Sequence, residues 1–347
     1  MVRVKKCSSG NVSINDVARL AGVSITTVSR VINKLPTVKE KNRILVQEAV
    51  KELKFQPSIF AQRLATGKSN VVTLVIPRYE GVFYSFYALE LIRGIGTLCE
   101  ALKLDLLLHL TADSKTSLNL KGIGGIIFAD IIGNRSQLLD ALASGIPSIV
   151  INNYVEDLEV SCIAIDNIRG AEDAVNYLID LGHRKIGHIT GDLITQAAAW
   201  RFEGYKRALK KNNIEFRQDY VFKTDYSRGQ ARMAAEKLIK MPQAAPTAVF
   251  VASDSMALEV MTVARELGRK IPGDLSIVGF DDNPSGLYGP VSLTTVRQPL
   301  IRMAEESVKE LNLLISRKDK GIKVKKVLLP TELVIRESCQ PLDSSKA

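Results

Sequence analysis

The segment from Ser24 to Arg30 carries short hydroxyl side chains and one guanidinium at helical spacing. Its sequence is SITTVSR, and the hydrogen-bonding side chains are those of Ser24, Thr26, Thr27, Ser29 and Arg30. Hydroxyl groups donate well to phosphate oxygens, whereas an arginine reaches the edge of a base and can bond a guanine at two atoms. This set of side chains indicates a helix that lies against a nucleic acid.

Two short amphipathic helices joined by a tight turn are predicted to position this set. Between Ser13 and Asn33 apolar residues recur at every third or fourth position, and Gly22 separates two such runs. Ser13, with Asp16 three residues on, has the spacing of a capping box, and Ser24 can cap the second helix. The pattern is that of a helix-turn-helix whose second helix enters a DNA groove. A helical hairpin within a larger core is the alternative, but the outer face has too few apolar residues for it.

Positive charge is concentrated at the N-terminal end of the chain. Residues 1–68 contain 13 lysines and arginines against 4 acidic residues, a net charge of +9 out of +10 for all 347 residues. A basic head on a nearly neutral body is the electrostatic footprint of a nucleic-acid-binding module joined to another domain. On charge alone, a solvated or membrane-surface basic patch is the alternative.

The composition disfavours several other classes of protein. The four cysteines are far apart and the three histidines are isolated, so no disulfide framework or metal site is indicated and no cofactor is expected. There is no run of 18 apolar residues, and the N-terminus lacks the apolar stretch of a signal peptide. No nucleophile elbow, phosphate loop or complete dinucleotide fingerprint occurs, which argues against an enzyme. We therefore expect a cytoplasmic protein that does not enter the membrane.

From residue 71 onward, short β-branched runs alternate with amphipathic stretches. The strand candidates are VVTLVIP, LDLLLHL, GGIIFAD, PSIVINN, CIAID, KIGHITG, AVFVASD and LSIVGFDD. Helices are predicted between them, for example over 86–102, 168–181, 201–211, 228–239, 255–267 and 300–315. This alternation is typical of doubly wound parallel sheets, and the strands are too many for one sheet. We predict two α/β lobes with a ligand cleft at the carboxyl ends of the strands.

Head, joint and body together resemble the LacI/GalR family of transcriptional regulators, from about Ile14 to Ser338. The signature INDVARLAGVSITTVSRVIN opens the match, and later matches include FQPSIFAQRL, RFEGYKRAL, IPGDLSIVGFDDNP and LTTVRQP. The resemblance implies a repressor that binds a near-palindromic, double-stranded operator as a homodimer, with a tetramer left open. It also implies a body like that of periplasmic binding proteins, with a small polar effector in the cleft between the lobes. A sugar, a sugar derivative or a nucleoside-like compound is expected there.

The predicted organisation has four parts. Residues 1–57 form an all-α helix-turn-helix head with a third helix over 38–53. Residues 58–70 form a hinge that includes a short helix, residues 71–340 the body and residues 341–347 a tail. Within the body we assign about 71–161 and 291–322 to lobe 1, and about 162–290 and 323–340 to lobe 2.

The resemblance assigns roles to residues of the head and hinge. Ile25 and Thr26 take two specificity positions, and Arg30 reads a base edge further along. Phosphate-binding positions are matched by Ser24, Thr27, Ser29, Asn33, Asn42 and Arg43. In the hinge, Leu64 matches a leucine that opens a base step in the minor groove, and Ala61 is small where two hinge helices approach each other. The alternatives are that Ile25 makes no specific contact with a base and that Leu64 packs the hinge against its own head.

For the effector, the resemblance implies that Asp281 bonds ligand hydroxyls and that Tyr226 and Phe83 or Tyr84 supply aromatic faces. Asn152, Asn153 and Arg169 are further polar candidates near strand ends. Two positions depart from the common pattern of the family. Ala199 stands where many members carry a ligand-clamping arginine, and Ser253 stands where many carry asparagine.

These departures weaken the case for an ordinary sugar inducer. The segment between His109 and Gly122 is also shorter than usual for the family, which predicts a truncated second helix in lobe 1. Control by a phosphorylated protein partner is therefore the alternative mode of regulation. A solute-binding protein with the same body is a remote alternative, since it would need a signal peptide and no DNA-binding head.

Overall fold

The computed structural model describes residues 12–33, 35–55, 69–79, 81–112, 117–241, 245–316 and 323–343. The chain divides into two compact units, one up to Ser69 and the other from Asn70 onward. The predicted hinge helix, with Ala61 and Leu64, lies outside the described residues, as does Cys7.

The first unit contains the three predicted helices, α1 (Ile14–Ala21), α2 (Ile25–Ile32) and α3 (Glu40–Glu52). The predicted capping box is present at the start of α1, where the Ser13 amide donates to the Asp16 carboxylate at 3.0 Å. Gly22 ends α1 in the left-handed conformation, at φ 63°. Each helix contributes one fully buried valine to the core, namely Val17, Val28 and Val46.

Lobe 1 of the second unit is a parallel sheet of six strands in the order β11-β5-β4-β3-β1-β2. These strands are β1 (Val71–Pro77), β2 (Asp105–Thr111), β3 (Gly125–Phe128), β4 (Ser148–Ile151), β5 (Ser161–Ile165) and β11 (Lys326–Leu329). One face packs against α4 (Phe86–Ala101) and α10 (Leu300–Ser316), and the other against α5 (Arg135–Ala143). The described residues 117–124, between β2 and β3, contain no helix, in keeping with the short segment seen in the sequence.

Lobe 2 is a second six-stranded sheet in the order β12-β10-β9-β8-β6-β7, parallel except for β12. Its strands are β6 (Ile186–Ile189), β7 (Val221–Phe222), β8 (Ala248–Val251), β9 (Ser276–Asp281), β10 (Thr294–Arg297) and β12 (Glu332–Val334). The helices are α6 (Asn167–Asp180), α7 (Gln196–Lys211), α8 (Arg228–Ile239) and α9 (Asp254–Glu266). The pair α6 and α7 covers one face and the pair α8 and α9 the other.

The sheets divide the chain differently from the sequence-based lobe boundaries at three places. Strand β5, predicted to open lobe 2, pairs with β4 in lobe 1, and β11 also joins lobe 1 by pairing with β5. Strand β10, predicted for lobe 1, pairs with β9 in lobe 2. The predicted lobe boundaries at these three strands are therefore wrong. The chain forms each of the three strands in its sheet before it crosses to the other lobe. No helix of the described residues is long and apolar enough to cross a membrane.

Helices α6 and α7 approach each other closely at Gly204. A Cβ placed on Gly204 would lie 2.3 Å from the carbonyl oxygen of Ile168 and 2.7 Å from the Cβ of Ala171. We expect Gly204→Ala to destabilise the body by about 1–3 kcal/mol, because the two helices would have to separate. Thermal melting of the full-length chain measures this.

Gly229→Ala is the matched control, since Gly229 begins α8 and no atom lies within 4 Å of the added Cβ. There the loss of backbone entropy in the unfolded chain should leave stability unchanged or raise it by about 0.5–1 kcal/mol. A Gly204→Ala protein that melts like the Gly229→Ala protein would contradict the close packing of α6 on α7.

Candidate functional site

The predicted contact residues of the head share the outer face of α2. Ser24, Ile25, Thr26 and Arg30 are exposed, and the opposite face buries Val28 and Val31. The Ser24 hydroxyl accepts from the Thr27 amide at 3.2 Å and contacts the Thr27 hydroxyl at 2.9 Å, so α2 begins where the sequence predicted. The N-terminus of α2 therefore lies on the exposed side of the head, and the N-terminus of a helix is a place where a phosphate can bind.

The remaining predicted phosphate contacts lie beside this face. Ser29, Asn33, Asn42 and Arg43 are partly exposed. Arg43 forms a surface ion pair with Glu40 at 3.1 Å. Such exposed pairs contribute little to stability, so the guanidinium can exchange this partner for a phosphate. Within the described part of the head, Arg30 has no ion-pair partner.

In the body, the carboxyl ends of the strands carry a group of non-glycine residues with positive φ. Asn152 follows β4 at φ 67°, Tyr226 follows β7 at φ 68°, and Asp281 and Asp282 lie at the end of β9 at φ 136° and 58°. Such conformations are unfavourable for residues with a Cβ and are concentrated at binding sites. They mark the inter-lobe cleft as the candidate ligand site.

Asp281 lies next to a buried arginine that sequence reasoning did not select. An oxygen of its carboxylate accepts from Gln298 Nε2 at 2.5 Å and lies 3.8 Å from Nη1 of Arg201. Burial raises the pKa of Asp281 to about 6, although the Arg201 charge and the Gln298 hydrogen bond act to lower it. Asp281 is therefore mostly ionised at neutral pH but poorly solvated.

Arg201 is held by three further contacts. Its Nε donates to Asn167 at 2.8 Å, its Nη1 donates to the carbonyl oxygen of Ala252 at 2.5 Å, and its guanidinium lies 3.7 Å from the centre of the Phe280 ring. With its side chain only 5% exposed, it has little freedom to move. Arg201 is thus a fixed positive charge of lobe 2 next to Asp281.

Asp254 is a second buried acid behind this pair. Its carboxylate accepts from the Thr295 hydroxyl at 2.6 Å and from the amide of Asn283 at 2.7 Å. Burial, together with the negative charge of Asp281, raises the pKa of Asp254 to about 8. Asp254 is therefore the weaker acid of this pair, and Asp281 ionises more readily.

Lobe 1 contributes Asp130, which follows β3, and two tyrosines. The Asp130 carboxylate accepts from the Ile132 amide at 2.9 Å, and burial raises its pKa to about 6. The hydroxyl of Tyr87 donates to the carbonyl oxygen of Ala129 at 2.7 Å. Tyr79, at the end of β1, is half-exposed.

The two lobes face the same space. Burial raises the pKa of both Tyr79 and Tyr226, and the charges of Asp130 and Asp281 act on both phenols in the same direction. Tyr79 belongs to lobe 1 and Tyr226 to lobe 2, so each phenol senses one carboxylate from its own lobe and one from the other. These side chains therefore line one shared cleft.

A cavity of about 260 Å³ opens beside this group between loops of both lobes. Its walls include Ile131, Arg135 and Tyr154 from lobe 1 and Ile194 and Gln196 from lobe 2. The Gln196 side chain bridges the lobes, since its Oε1 accepts from the Tyr154 amide at 2.6 Å and its Nε2 donates to the Tyr154 carbonyl at 3.0 Å. Among the described residues there is no cluster of three side chains suited to hold a metal ion.

The other predicted effector residues do not all lie in the cleft. Phe83 and Tyr84 are 55% and 92% exposed, and Arg169 is exposed and paired with Asp173 at 3.0 Å. Ser253 is buried but caps α9, where its hydroxyl accepts from the Met256 amide at 3.4 Å. The ring of Tyr226 lies directly against Gly191, which has no Cβ to displace it. Of the predicted effector residues, Asp281, Tyr226 and Asn152 lie at or just after the carboxyl ends of strands, and Asn153 lies in the wall of the cavity.

Ala199 precedes Arg201 by two residues on α7, so the chain does carry an arginine in the cleft. The signal was available in the sequence, because Ala198, Arg201, Tyr205 and Ala208 form one helical stripe and all four are buried. A lone arginine in such a stripe requires an acidic or carbonyl partner. Asn152 binds Asp130 through its side chain, so its polar group belongs to the lobe 1 wall.

Comparison with known proteins identifies both parts of the chain. Residues 13–58 match the family described as bacterial regulatory proteins of the lacI family, and residues 175–339 match a periplasmic binding protein-like domain. The transcriptional regulator DegA of Bacillus subtilis (strain 168) is 33% identical over 342 residues, which cover 96% of this chain and 99% of DegA. The transcriptional repressor PurR of Vibrio vulnificus (strain CMCP6) is 32% identical over 341 residues, 95% of this chain and 99% of PurR.

Among solved structures, the complex of the transcriptional regulator CelR with cellobiose is similar over 94% of this chain and 99% of CelR. Its TM-score is 0.71 at 28% identity. The helix-turn-helix head and the two-lobed body define a DNA-binding transcriptional regulator. The chain belongs to the LacI family.

The raised pKa of Asp254 makes the stability of the body depend on pH up to about pH 8. Because its folded pKa of about 8 lies above the ordinary value of 3.8, the folded chain holds a proton that the unfolded chain releases. The stabilisation from this proton is fully present below pH 3.8, declines as the pH rises from there, and is lost once the pH has passed through 8. We expect the melting temperature to fall between pH 6.5 and pH 8 and to level off above pH 8, and Asp254→Asn to flatten that dependence.

Asp282→Asn is the matched control, since ion pairs with Arg336 and Arg297 lower the pKa of Asp282 despite its burial. Asp282→Asn should lower the melting temperature at every pH and keep the slope. An Asp254→Asn protein with the full wild-type slope would show that another group titrates.

Proposed function

We propose that this LacI-family regulator acts by binding alone, as a repressor on a near-palindromic operator, with a small polar effector in the cleft of the body. The observation that carries the proposal is the exposed face of α2, where hydroxyls and the unpaired Arg30 stand opposite a buried valine face. The basic charge of the head supports it, because counterion release makes binding to DNA favourable.

In this proposal, α2 enters the major groove. One set of side chains contacts base edges and a second set binds phosphates. Arg30 bonds a base edge, and Ile25, which is 50% exposed, contacts a thymine methyl or another apolar edge beside Thr26. Phosphates are bound by a second set, which sets the register of the helix: Ser24, Thr27, Ser29, Asn33, Asn42 and Arg43. Ala61 and Leu64 remain predictions from the sequence.

A single head of three short helices reads one half-site, so two chains are needed for a near-palindromic operator. The body offers apolar surface for such pairing. Leu107 on the edge strand β2 is 49% exposed, and Leu89 on α4 and Tyr288 in lobe 2 are exposed as well. The homodimer itself is proposed from the two equivalent half-sites of a near-palindromic operator.

Control by the effector follows from the position of the cleft between two lobes. A ligand that contacts Asp281 in lobe 2 and Asp130 or Tyr79 in lobe 1 favours one lobe arrangement over the other. Only this difference in affinity can change DNA binding, and it typically amounts to about 1–3 kcal/mol. CelR, solved with cellobiose, supports a polar small molecule as effector class.

Selection of bound sequences from a random DNA library tests the operator proposal. We expect wild type to enrich a near-palindromic motif, with binding that weakens steeply as salt increases. Arg30→Ala should lose the preference for one base in each half-site, a discrimination of about 1–3 kcal/mol.

Lys51→Ala is the control, because Lys51 is an exposed cation on α3 outside the α2 face. It should weaken binding to all sequences alike and leave the motif unchanged. Identical motifs for wild type and Arg30→Ala would contradict the role of Arg30, and no enriched motif for wild type would contradict the proposed function.

The effector cleft is tested by melting the full-length chain with panels of sugars and nucleosides. A ligand at 100 times its Kd should stabilise the chain by about 2.7 kcal/mol. We expect Asp281→Asn to lose most of this gain, whereas Asp140→Asn, an exposed change of the same charge on α5, should keep it. An Asp281→Asn protein that responds like wild type would contradict the site.

A further inference from the structure

The cleft offers many hydrogen-bond acceptors and few available donors. Asp130 and Asp281 present carboxylates, and Gln298 presents an amide oxygen beside Asp281. Gln298 is only 7% exposed, and among the described residues its Oε1 has no hydrogen-bond partner although its Nε2 donates to Asp281. A buried acceptor without a partner is unfavourable, so a donor on a ligand would satisfy this atom.

The positive charges near the cleft are already engaged. Arg201 donates to Asn167 and Ala252, and at 3.8 Å it is too far from Asp281 for a hydrogen bond. Arg135, in the wall of the neighbouring cavity, is paired with Asp157. Across the described part of the chain, no lysine or arginine forms an ion pair with Asp130. The cleft therefore has an excess of negative charge.

Aromatic rings surround this excess. The negative charges of Asp130 and Asp281 act on the phenols of both Tyr79 and Tyr226, and the hydroxyl of Tyr87 is anchored on the carbonyl of Ala129, the residue before Asp130. The face of a tyrosine ring attracts a cation, and the attraction is strongest where water is excluded. Carboxylates together with phenol rings are the groups that recognise an ammonium ion.

We infer that the effector of this chain carries a protonated amine that binds between Asp130 and Asp281 against Tyr79 and Tyr226. The inference rests on the proposed function in taking the cleft as the effector site, and it makes Asp130 a specificity-determining residue. An amine donates three hydrogen bonds, which suits the two carboxylates and the free oxygen of Gln298.

Two other ligand classes fit the cleft less well. A phosphate or carboxylate ligand would place a third negative charge beside Asp130 and Asp281. A neutral polyol would donate hydrogen bonds to the carboxylates but would leave their charges without an ion-pair partner where water is excluded. An ammonium ion removes this penalty and attracts one carboxylate from each lobe, so its binding also draws the lobes together.

Matched sets of ligands test the inference on the full-length chain without DNA. Each set has an alcohol, an amine and an acid on one carbon skeleton: D-glucose, D-glucosamine and D-glucuronate, and 1,4-butanediol, putrescine and succinate. Melting temperatures are recorded at millimolar ligand and pH 7.5. We expect the amine of at least one set to give the largest shift, and Asp130→Asn to weaken its binding at least about tenfold, because one partner of a buried charge pair is removed.

Asp130→Asn should also raise the melting temperature of the ligand-free chain, since it removes a buried charge whose burial outweighs its hydrogen bonds. Asp140→Asn, an exposed acid on α5, is the control and should change neither result. Larger shifts with the alcohols or acids, no shift with any amine, or a lower ligand-free melting temperature for Asp130→Asn would each overturn the inference. These melting measurements are made without DNA, so they do not depend on whether the chain binds an operator. A failure of DNA binding would be found in the separate operator selection.

Discussion

The burial of Arg201 is the constraint on which the cleft depends. A guanidinium that has lost its water must have its donors satisfied and its charge balanced. Here Asn167 at the start of α6, the Ala252 carbonyl after β8 and the Phe280 ring in β9 meet it from three elements. Because all three contacts must hold at once, the relative positions of α6, α7, β8 and β9 are fixed. Asp281, the residue after Phe280, is thereby held in place in the cleft.

The two buried acids Asp254 and Asp281, close to Arg201, reduce the stability of the folded body. Asp254 and Asp281 are close enough that burial and mutual repulsion raise the pKa of Asp254, while Thr295 and the Asn283 amide stabilise its carboxylate. Positive φ at Asp281, Asp282, Asn152 and Tyr226 adds backbone strain at the same strand ends. Strain and poorly balanced charge in one place are expected where a protein binds a ligand, because the ligand compensates for them.

Features set by neighbouring residues could be predicted from the sequence. The capping box of Ser13 with Asp16, the turn at Gly22 and the cap at Ser24 act within three or four residues, so α1 and α2 were predicted. The lobe boundaries failed because they depend on pairing between distant segments, such as Lys326 with Cys162. Arg201 was missed for the same reason, since its partners Asn167 and Asp281 lie on other elements. Phe83 was chosen by residue type, which carries no information on its exposure.

The cleft is joined directly to the segments that connect the lobes. In the described part of the body the chain passes between the sheets after β5, after β10 and after β11. Asn167, the first residue of α6 after the first passage, is bonded to Arg201, and Gln298 in the second passage is bonded to Asp281. A ligand that binds Asp281 therefore acts on residues of two of the passages themselves. Because those residues are packed and hydrogen-bonded, we expect a small change at the ligand to be converted into a change of lobe angle and not to be absorbed by the loops.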